Sequence, residues 1–383
     1  MRGFAMRRHR VRVLTVTGAG VAAVAIAGSL AMTASASPGV PRQGYPSYHV
    51  QQVLSGASMK HANSRTGKNE PLSQPAAIAQ SGGTLYAAFD NGVGTRGQAS
   101  ASGNADSTIV QFTPGGSVTA QWDVAGQVSG LGASPDTGEI VATVNAAGHS
   151  SIYTIDGGAV THYSYAKALP SNGGTAGLTF YKGQLVVTAS APGSTGKAAP
   201  RASYPAAYTV TLNQGTATAT PYFYDESAAQ VANGGPPNSR LGAALQLRLT
   251  DPVTAAVVPP QSPRWRGAFV LASEADRQLI YSTAPGSLWA LRLPQPVADT
   301  AFATAWHGAL FATNPSANAV DEIGWQLFWP GTEFLSVCSA HSAGSSCQHA
   351  SLGRLNMMTG QIIPVETGGT AVQPARLVFV PMS

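Results

Sequence analysis

The feature that most constrains this chain is a set of four short apolar strands, separated by turn residues, that recurs along most of its length. In the first copy the strands are expected at 76–79, 85–89, 108–112 and 118–122. Similar copies follow at 131–163, 177–223 and 253–293, and a fifth opens with strands at 301–305 and 310–313. Strands of this length at this spacing, with no helical periodicity between them, favour a repeated sheet.

A repeat of about 45 to 50 residues that holds four strands is typical of the blades of a β-propeller. The tripeptide Gln-Pro-Ala at 373–375 repeats the one at 74–76, as if the chain ended on the opening strand of another blade. Closed propellers often remove exposed edges by completing the last blade from both termini, so we expect 48–54 to pair with 376–380. The sequence therefore predicts an all-β fold, with residues 72–383 forming a single β-propeller of six four-stranded blades. The irregular stretch 321–366 could supply a seventh.

These repeats resemble those of NHL- and YVTN-type propellers, and the chain as a whole resembles a group of uncharacterised secreted proteins of actinobacteria. The resemblance covers nearly all of the chain after its first segment. It lies in the blade pattern and not in a catalytic motif, so it implies a fold without implying an activity.

The N-terminal segment has the pattern of an export signal. Five arginines and no acidic residue precede a long apolar stretch at 13–32, and Ala34-Ser35-Ala36 fits the pattern at which signal peptidase cleaves. We expect residues 1–36 to be removed and the protein to be secreted. The alternative is an uncleaved membrane anchor, because the apolar stretch is about long enough to span a bilayer. Residues 37–71, poor in apolar side chains, are expected to be partly flexible and to contribute an outer strand.

The charge of the mature chain gives no reason to expect nucleic acid or a membrane surface as a partner. Without the five leader arginines, 17 basic residues remain against 17 acidic ones. The basic balance of the whole chain thus belongs to the leader. We expect a monomer with an extracellular protein or glycan as its partner.

The two cysteines, Cys338 and Cys347, are expected to form a disulfide, which is the default in an oxidising compartment. A zinc site that also uses His341 and His349 is the alternative, although the spacing matches none of the common zinc patterns.

Two regions of the expected propeller could carry function, and both belong to the same face. The longer connections, at 91–107, 191–204 and 225–243, fall on this face together with the cysteine loop, and such loops commonly carry binding sites. The channel mouth on this face is expected to be ringed by the residues that precede the innermost strands: Gln74, Ser129, Thr175, Asp251, Asp299 and Gln373. A second ring follows the second strands: Asp90, Asn145, Ser190, Glu274 and Asn314.

The two rings support alternative interpretations. They could bind a polar ligand, or a divalent cation through Asp251 and Asp299, since carboxylates suit such ions. Asp, Asn, Ser and Thr at strand ends also commonly hydrogen-bond their own turns, which would be a purely structural role.

The sequence favours a binding or scaffold module without a cofactor over an enzyme. It contains no nucleophile elbow, zinc-binding helix or phosphate-binding loop. Gluconolactonase-like propellers coordinate a divalent cation with Glu, Asn and Asp, and this resemblance makes a metal-dependent lactonase the alternative. Asp251, Asp299 and Asn145 match that set in part, but no glutamate occupies the opening-strand position. The aromatic cluster Trp325, Phe328 and Trp329 could stack on sugars or pack between blades.

Overall fold

The computed structural model describes residues 48–170, 174–190, 203–234, 240–340, 347–368, 370 and 372–382. Within these residues the regular structure is β-strand, apart from one short 3₁₀ helix at Gly56–Ser58. The strands up to the middle of the chain are β1 His49–Ser55, β2 Lys60–Ala62, β3 Asn69–Pro71, β4 Pro75–Ser81, β5 Thr84–Phe89, β6 Asp106–Phe112, β7 Val118–Ala125, β8 Val128–Ala133, β9 Ile140–Val144, β10 Ser151–Asp156, β11 Ala159–Tyr165, β12 Thr175–Tyr181, β13 Gln184–Ala189, β14 Pro205–Asn213 and β15 Thr216–Tyr224. The later strands are β16 Ala228–Val231, β17 Ala244–Gln246, β18 Pro252–Val257, β19 Phe269–Ser273, β20 Gln278–Ala284, β21 Ser287–Arg292, β22 Val297–Phe302, β23 Gly308–Asn314, β24 Ala319–Gly324, β25 Glu333–Ala340, β26 Gln348–Leu355, β27 Ile362–Pro364 and β28 Arg376–Pro381.

Most of the sheets are built from consecutive antiparallel strands. β4 to β7 form a four-stranded sheet, and the eight-stranded sheet consists of β8 to β11 and β12 to β15 joined through a parallel pairing of β11 with β15. β18 to β21 are extended at their outer edge by β16 and β17. The strands expected in the first four repeats are confirmed, with ends that differ by a few residues.

The last two sheets exchange strands, which the sequence analysis did not anticipate. One sheet has the order β22-β25-β26-β27 and the other has the order β1-β24-β23-β28. The chain therefore leaves the first of these sheets after β22, makes the β23–β24 hairpin of the second, returns for β25 to β27, and ends as β28. The expectation that 301–305 and 310–313 belong to one sheet is wrong, because β22 and β23 lie in different sheets.

The N-terminal strand meets the C-terminal strand in the same sheet but does not pair with it. β1 pairs with β24 and β28 pairs with β23, so the two terminal strands occupy opposite edges. The expected direct pairing of 48–54 with 376–380 is wrong. The stretch 225–243, expected to be a connecting loop, contains β16, which pairs in parallel with β21.

The strands β4, β8, β12, β18, β22 and β28 form a closed ring of contacts, in which each contacts the next and β28 contacts β4. This arrangement is propeller-like, with apolar side chains packed between successive sheets. One core cluster brings Ile109 of β6 together with Ile140 of β9, and another brings Tyr281 of β20 together with Leu335 of β25.

The ring is tight where β12 meets β18. A Cβ atom added at Gly177 would lie 2.5 Å from the Cα of Thr254, which is closer than such atoms can approach. Glycine is therefore required at this position by the distance between the two strands and not by its backbone dihedral angles.

No helix among the described residues is long and apolar enough to cross a membrane. The expected signal peptide, residues 1–36, lies outside the described residues, as do 37–47 of the segment predicted to be flexible.

Candidate functional site: the central channel

The ring of strands encloses a channel with a volume of ≈ 340 Å³. Apolar side chains from four of the strands line much of it, namely Ile78, Leu131, Leu178 and Phe379. A polar group formed by Thr254, Asp299 and Arg376 lies where the strands β18, β22 and β28 begin. The channel thus combines an apolar wall with a polar end that carries both signs of charge.

Asp299 joins three of the strands that form the ring. Its Oδ1 accepts a hydrogen bond of 2.5 Å from Thr254 Oγ1, and its Oδ2 accepts one of 2.6 Å from the Leu377 amide N–H. Burial raises the pKa of Asp299, and the nearby Arg376 guanidinium and these two donors oppose the rise. Because each of its oxygens already accepts a hydrogen bond, Asp299 holds β18, β22 and β28 together, and its geometry does not suggest an open metal ligand.

Arg376 is the cationic group of the channel. Its Nη1 donates to the Ala298 carbonyl at 2.7 Å and, more weakly, to the Ala375 carbonyl at 3.4 Å. Its charge lowers the pKa of both Asp299 and Asp90, yet within the described part of the chain it forms no ion pair and its other N–H groups have no hydrogen-bond partner. Arg376 therefore has donors left for a ligand.

The buried Asp90 and the half-buried Gln127 form a polar pair near Arg376. Gln127 Nε2 donates to Asp90 Oδ2 at 2.9 Å, whereas Asp90 Oδ1 and Gln127 Oε1 are buried without a hydrogen-bond partner. Burial raises the pKa of Asp90 to about 8, although Gln127, Ser107 and Arg376 all act to lower it. At neutral pH this carboxyl is mostly protonated, so it offsets little of the positive charge of Arg376.

Two residues expected at the channel mouth, Gln74 and Thr175, and Asn145 of the second ring have hydrogen-bond partners within the protein. Gln74 is exposed, and its Oε1 accepts a hydrogen bond of 3.1 Å from the Gly92 N–H. Thr175 is fully buried, with its hydroxyl 2.6 Å from that of Ser150. Asn145, at a φ of 64°, accepts from the Gln127 N–H at 3.0 Å. Each of these contacts joins residues at least 18 positions apart in the chain. A ligand-binding role for these side chains stays a prediction.

The remaining residues of the first ring lie in different environments, and their role as metal ligands stays a prediction. Ser129 is buried, and its hydroxyl donates to the Thr175 carbonyl at 2.9 Å. Asp251 and Gln373 are half-buried, and the Asp251 carbonyl accepts from the Glu274 N–H at 2.9 Å.

In the described ranges one group brings three potential ligand atoms together: Glu274, Cys338 and Cys347. The two cysteines form a disulfide whose Cα atoms are 5.4 Å apart, as expected. Their sulfurs are bonded to each other and are not available as thiolate ligands, so this group does not fit a zinc ion. His341 and the side chain of His349 lie outside the described residues.

Of the long connections, 91–107 lies within the described residues, together with parts of the others. It packs against the N-terminal segment, because Asn63 Nδ2 donates to Ser102 Oγ at 3.0 Å and Ser102 Oγ donates to Glu70 at 2.9 Å. Residues 191–202, 235–239 and 341–346 lie outside the described ranges. The expectation that these loops form a common binding face stays a prediction.

The aromatic cluster near residue 325 divides into two environments. Trp325 stacks on Tyr48 with ring centroids 4.2 Å apart, and Phe328 is buried. Trp329 is 71% exposed and contacts Trp306, which is 43% exposed. Two members of the predicted cluster therefore pack in the core, and one is available at the surface.

Arg376 and Gln127 are not among the candidate residues that the sequence pattern indicates. A signal for Arg376 was present, since the Gln-Pro-Ala repeat aligns this arginine with Ala77 of an otherwise apolar strand. An arginine in such a position is a partly buried charge that requires a reason. No comparable signal marks Gln127, whose partner Asp90 lies 37 positions away in the chain.

Comparison with known proteins identifies no family. No family model and no curated protein sequence matches the chain. Among solved structures, one similar protein is a catalytically inactive virginiamycin B lyase from Staphylococcus aureus with quinupristin. The two sequences are 11% identical, the match covers 86% of this chain and 78% of that chain, and the TM-score is 0.41. A putative 6-phosphogluconolactonase from Bacteroides fragilis is also similar, with 13% identity and a TM-score of 0.41. That match covers 87% of this chain and 98% of that chain. A protein of unknown function from Bacteroides thetaiotaomicron is similar as well, with 10% identity and a TM-score of 0.46. That match covers 87% of this chain and 70% of that chain. Likeness at this level carries no argument about activity.

Proposed function

We propose that this protein is an exported β-propeller of six four-stranded blades that acts as an extracellular binding module, with its ligand held in the central channel. Six strands in the closed ring support the blade count. The basic and apolar leader, the cleavage triplet and the disulfide support export.

The observation that carries the proposal is the position of Arg376. Burying part of a guanidinium group beside an apolar channel costs free energy unless the group is paired. In the described part of the chain its hydrogen bonds are to two backbone carbonyls, and no carboxylate lies within ion-pair distance. A ligand that brings an acceptor oxygen to the channel would supply the missing partner.

The channel favours a small carboxylate with an apolar tail. Arginine binds carboxylates through strong charge-assisted hydrogen bonds. The adjacent Asp90, with its pKa at about 8, is mostly uncharged at neutral pH and repels an anion little. The apolar wall, with Leu131, Leu178 and Phe379, suits an aliphatic chain, and the volume of ≈ 340 Å³ is near the lower end of ordinary ligand pockets.

The proposal is tested with octanoate and with octanamide, which has the same chain but no charge. Isothermal titration calorimetry on the secreted protein should show binding of octanoate and weaker binding of octanamide. Arg376→Gln should weaken octanoate binding by about tenfold or more, the size of a lost charged hydrogen bond, and should leave octanamide nearly unaffected.

Arg354→Gln, which changes an exposed arginine on β26, is the matched control and should bind octanoate as the wild type does. Equal binding of acid and amide would contradict the role of Arg376. No binding of octanoate by a correctly folded wild-type protein would overturn the proposed ligand class.

The alternative of a metal-dependent lactonase requires a bound cation. Elemental analysis of gently purified protein decides this point. A stoichiometric divalent metal that is lost in an Asp251→Ala, Asp299→Ala double variant would favour the lactonase over the binding module.

A further inference from the structure

A second cavity lies between the sheet β4–β7 and the neighbouring strands β8–β11, away from the channel. Its volume is ≈ 400 Å³. The residues that line it include Tyr86, Gln111 and Trp122 from the first sheet, and Thr137, Ile155 and Asp156 from the second. The short turns 134–139 and 156–158 border this groove, on the face opposite the one that the sequence analysis predicted to bind.

The aromatic side chains of the groove are held in place by hydrogen bonds. Trp122 is half-buried, and its Nε1 donates to the Gly158 carbonyl at 3.1 Å across the two sheets. Tyr86 is 9% exposed, and its hydroxyl oxygen accepts from Gln111 Nε2 at 3.1 Å. Both rings are therefore oriented before any ligand arrives, which lowers the entropic cost of binding.

The polar groups of the groove have unused hydrogen-bonding capacity. Among the described residues, the Tyr86 hydroxyl hydrogen, Gln111 Oε1 and the Asp156 carboxylate have no partner. Burial raises the pKa of Tyr86, so its hydroxyl remains a donor at neutral pH. The groove thus offers one donor and several acceptors close to two aromatic rings.

The charge of the lining narrows the class of ligand. Among the described residues that line the groove there is no lysine, arginine or histidine, and the one charged side chain is Asp156. An anionic ligand would meet repulsion without a compensating cation. A neutral sugar fits better, because its hydroxyls both donate and accept and its apolar C–H face packs on aromatic rings.

We propose that the groove between these two sheets, with Trp122 and Tyr86 as its aromatic walls and Gln111 and Asp156 as its polar contacts, is a binding site for a neutral sugar unit of an extracellular polysaccharide. This site is independent of the channel and does not depend on the channel ligand.

Titration calorimetry with cellohexaose, laminarihexaose, xylohexaose and chitohexaose tests the proposal, with hexagalacturonate as an acidic comparison. At least one neutral oligosaccharide should bind the wild-type protein, and hexagalacturonate should bind more weakly. Trp122→Ala should weaken binding by about tenfold, and Tyr86→Phe, which removes a single hydroxyl, by about fivefold.

The exposed pair Trp306 and Trp329 provides the matched control, because a Trp306→Ala, Trp329→Ala variant removes two aromatic rings elsewhere on the surface. This variant should keep full sugar binding. If Trp122→Ala unfolds, Tyr86→Phe and Gln111→Ala still test the site, since both are small changes.

Three results would overturn the proposal. One is that no neutral oligosaccharide binds. Another is that the Trp306→Ala, Trp329→Ala variant no longer binds the oligosaccharide while the groove variants bind it normally. The third is preferential binding of hexagalacturonate. Failure of octanoate binding would leave this site unaffected, so the two proposals fail separately.

Discussion

Glu333 offers the sharpest test of how burial controls the stability of this fold. The side chain is fully buried at the start of β25, where Oε1 accepts from Thr300 Oγ1 at 2.7 Å and Oε2 accepts from the Tyr281 hydroxyl at 2.9 Å. Burial raises its pKa from 4.5 to about 7, against the lowering effect of both hydrogen bonds. The folded protein therefore holds a proton at this site more tightly than the unfolded chain does.

The direction of the pH effect follows from this difference. A carboxyl whose folded pKa lies above its unfolded value contributes stability that is complete below about pH 4.5 and is lost as the pH rises through about 7. At about 1.4 kcal/mol per pH unit, the shift of Glu333 corresponds to a loss of about 3 kcal/mol between these limits. Glu333→Gln removes the titration and retains groups that can hydrogen-bond both hydroxyls.

Urea denaturation of the wild type and Glu333→Gln at several pH values measures the effect. Between about pH 4 and about pH 8, the wild type should lose about 3 kcal/mol of unfolding free energy relative to Glu333→Gln. Glu366→Gln, which changes an exposed carboxylate, should show no such trend. A difference that is independent of pH would refute the argument, because Glu333 would then have the same pKa in both states.

Three further predictions concern other parts of the chain. A Cys338→Ser, Cys347→Ser variant should fold and be secreted with a loss of about 2 to 3 kcal/mol, measured by thermal unfolding; failure to fold would show that the disulfide is essential. Gly177→Ala should cost about 3 kcal/mol or more by overpacking the ring, as urea denaturation would show, whereas Gly115→Ala, where little lies near the added Cβ atom, should be nearly neutral. Intact mass of secreted protein should correspond to a chain that begins at Ser37, and recovery of the full-length chain in a membrane fraction would instead mean that residues 1–36 form an anchor.

Local sequence patterns were sufficient to predict many of the strands. The strand expected at 85–89 is found at Thr84–Phe89, and the one expected at 140–144 is found at Ile140–Val144. In such hairpins each strand pairs with its neighbour in sequence. The turn residues and the apolar pattern therefore determine where both strands of the hairpin lie in the sequence.

The strand exchange between the last two sheets could not be predicted in this way. The β23–β24 hairpin has the same local pattern whichever sheet it joins, and its partners β1 and β28 come from distant parts of the chain. The same limit applies to the site. Arg376 is visible in the sequence as a charge in an apolar strand. The contact between Asp90 and Gln127 joins two connections that are 37 positions apart in the chain, and no local pattern indicates it.

The exchange of strands also makes completion of the fold depend on the C-terminal strand β28. β28 supplies the last strand of its sheet, closes the ring between β22 and β4, and begins with Arg376. A chain whose synthesis or export stops before this strand lacks the ring, the Leu377 partner of Asp299 and the channel cation at once. Arg376, the charge that the proposed ligand would contact, is therefore added in the same step that closes the ring.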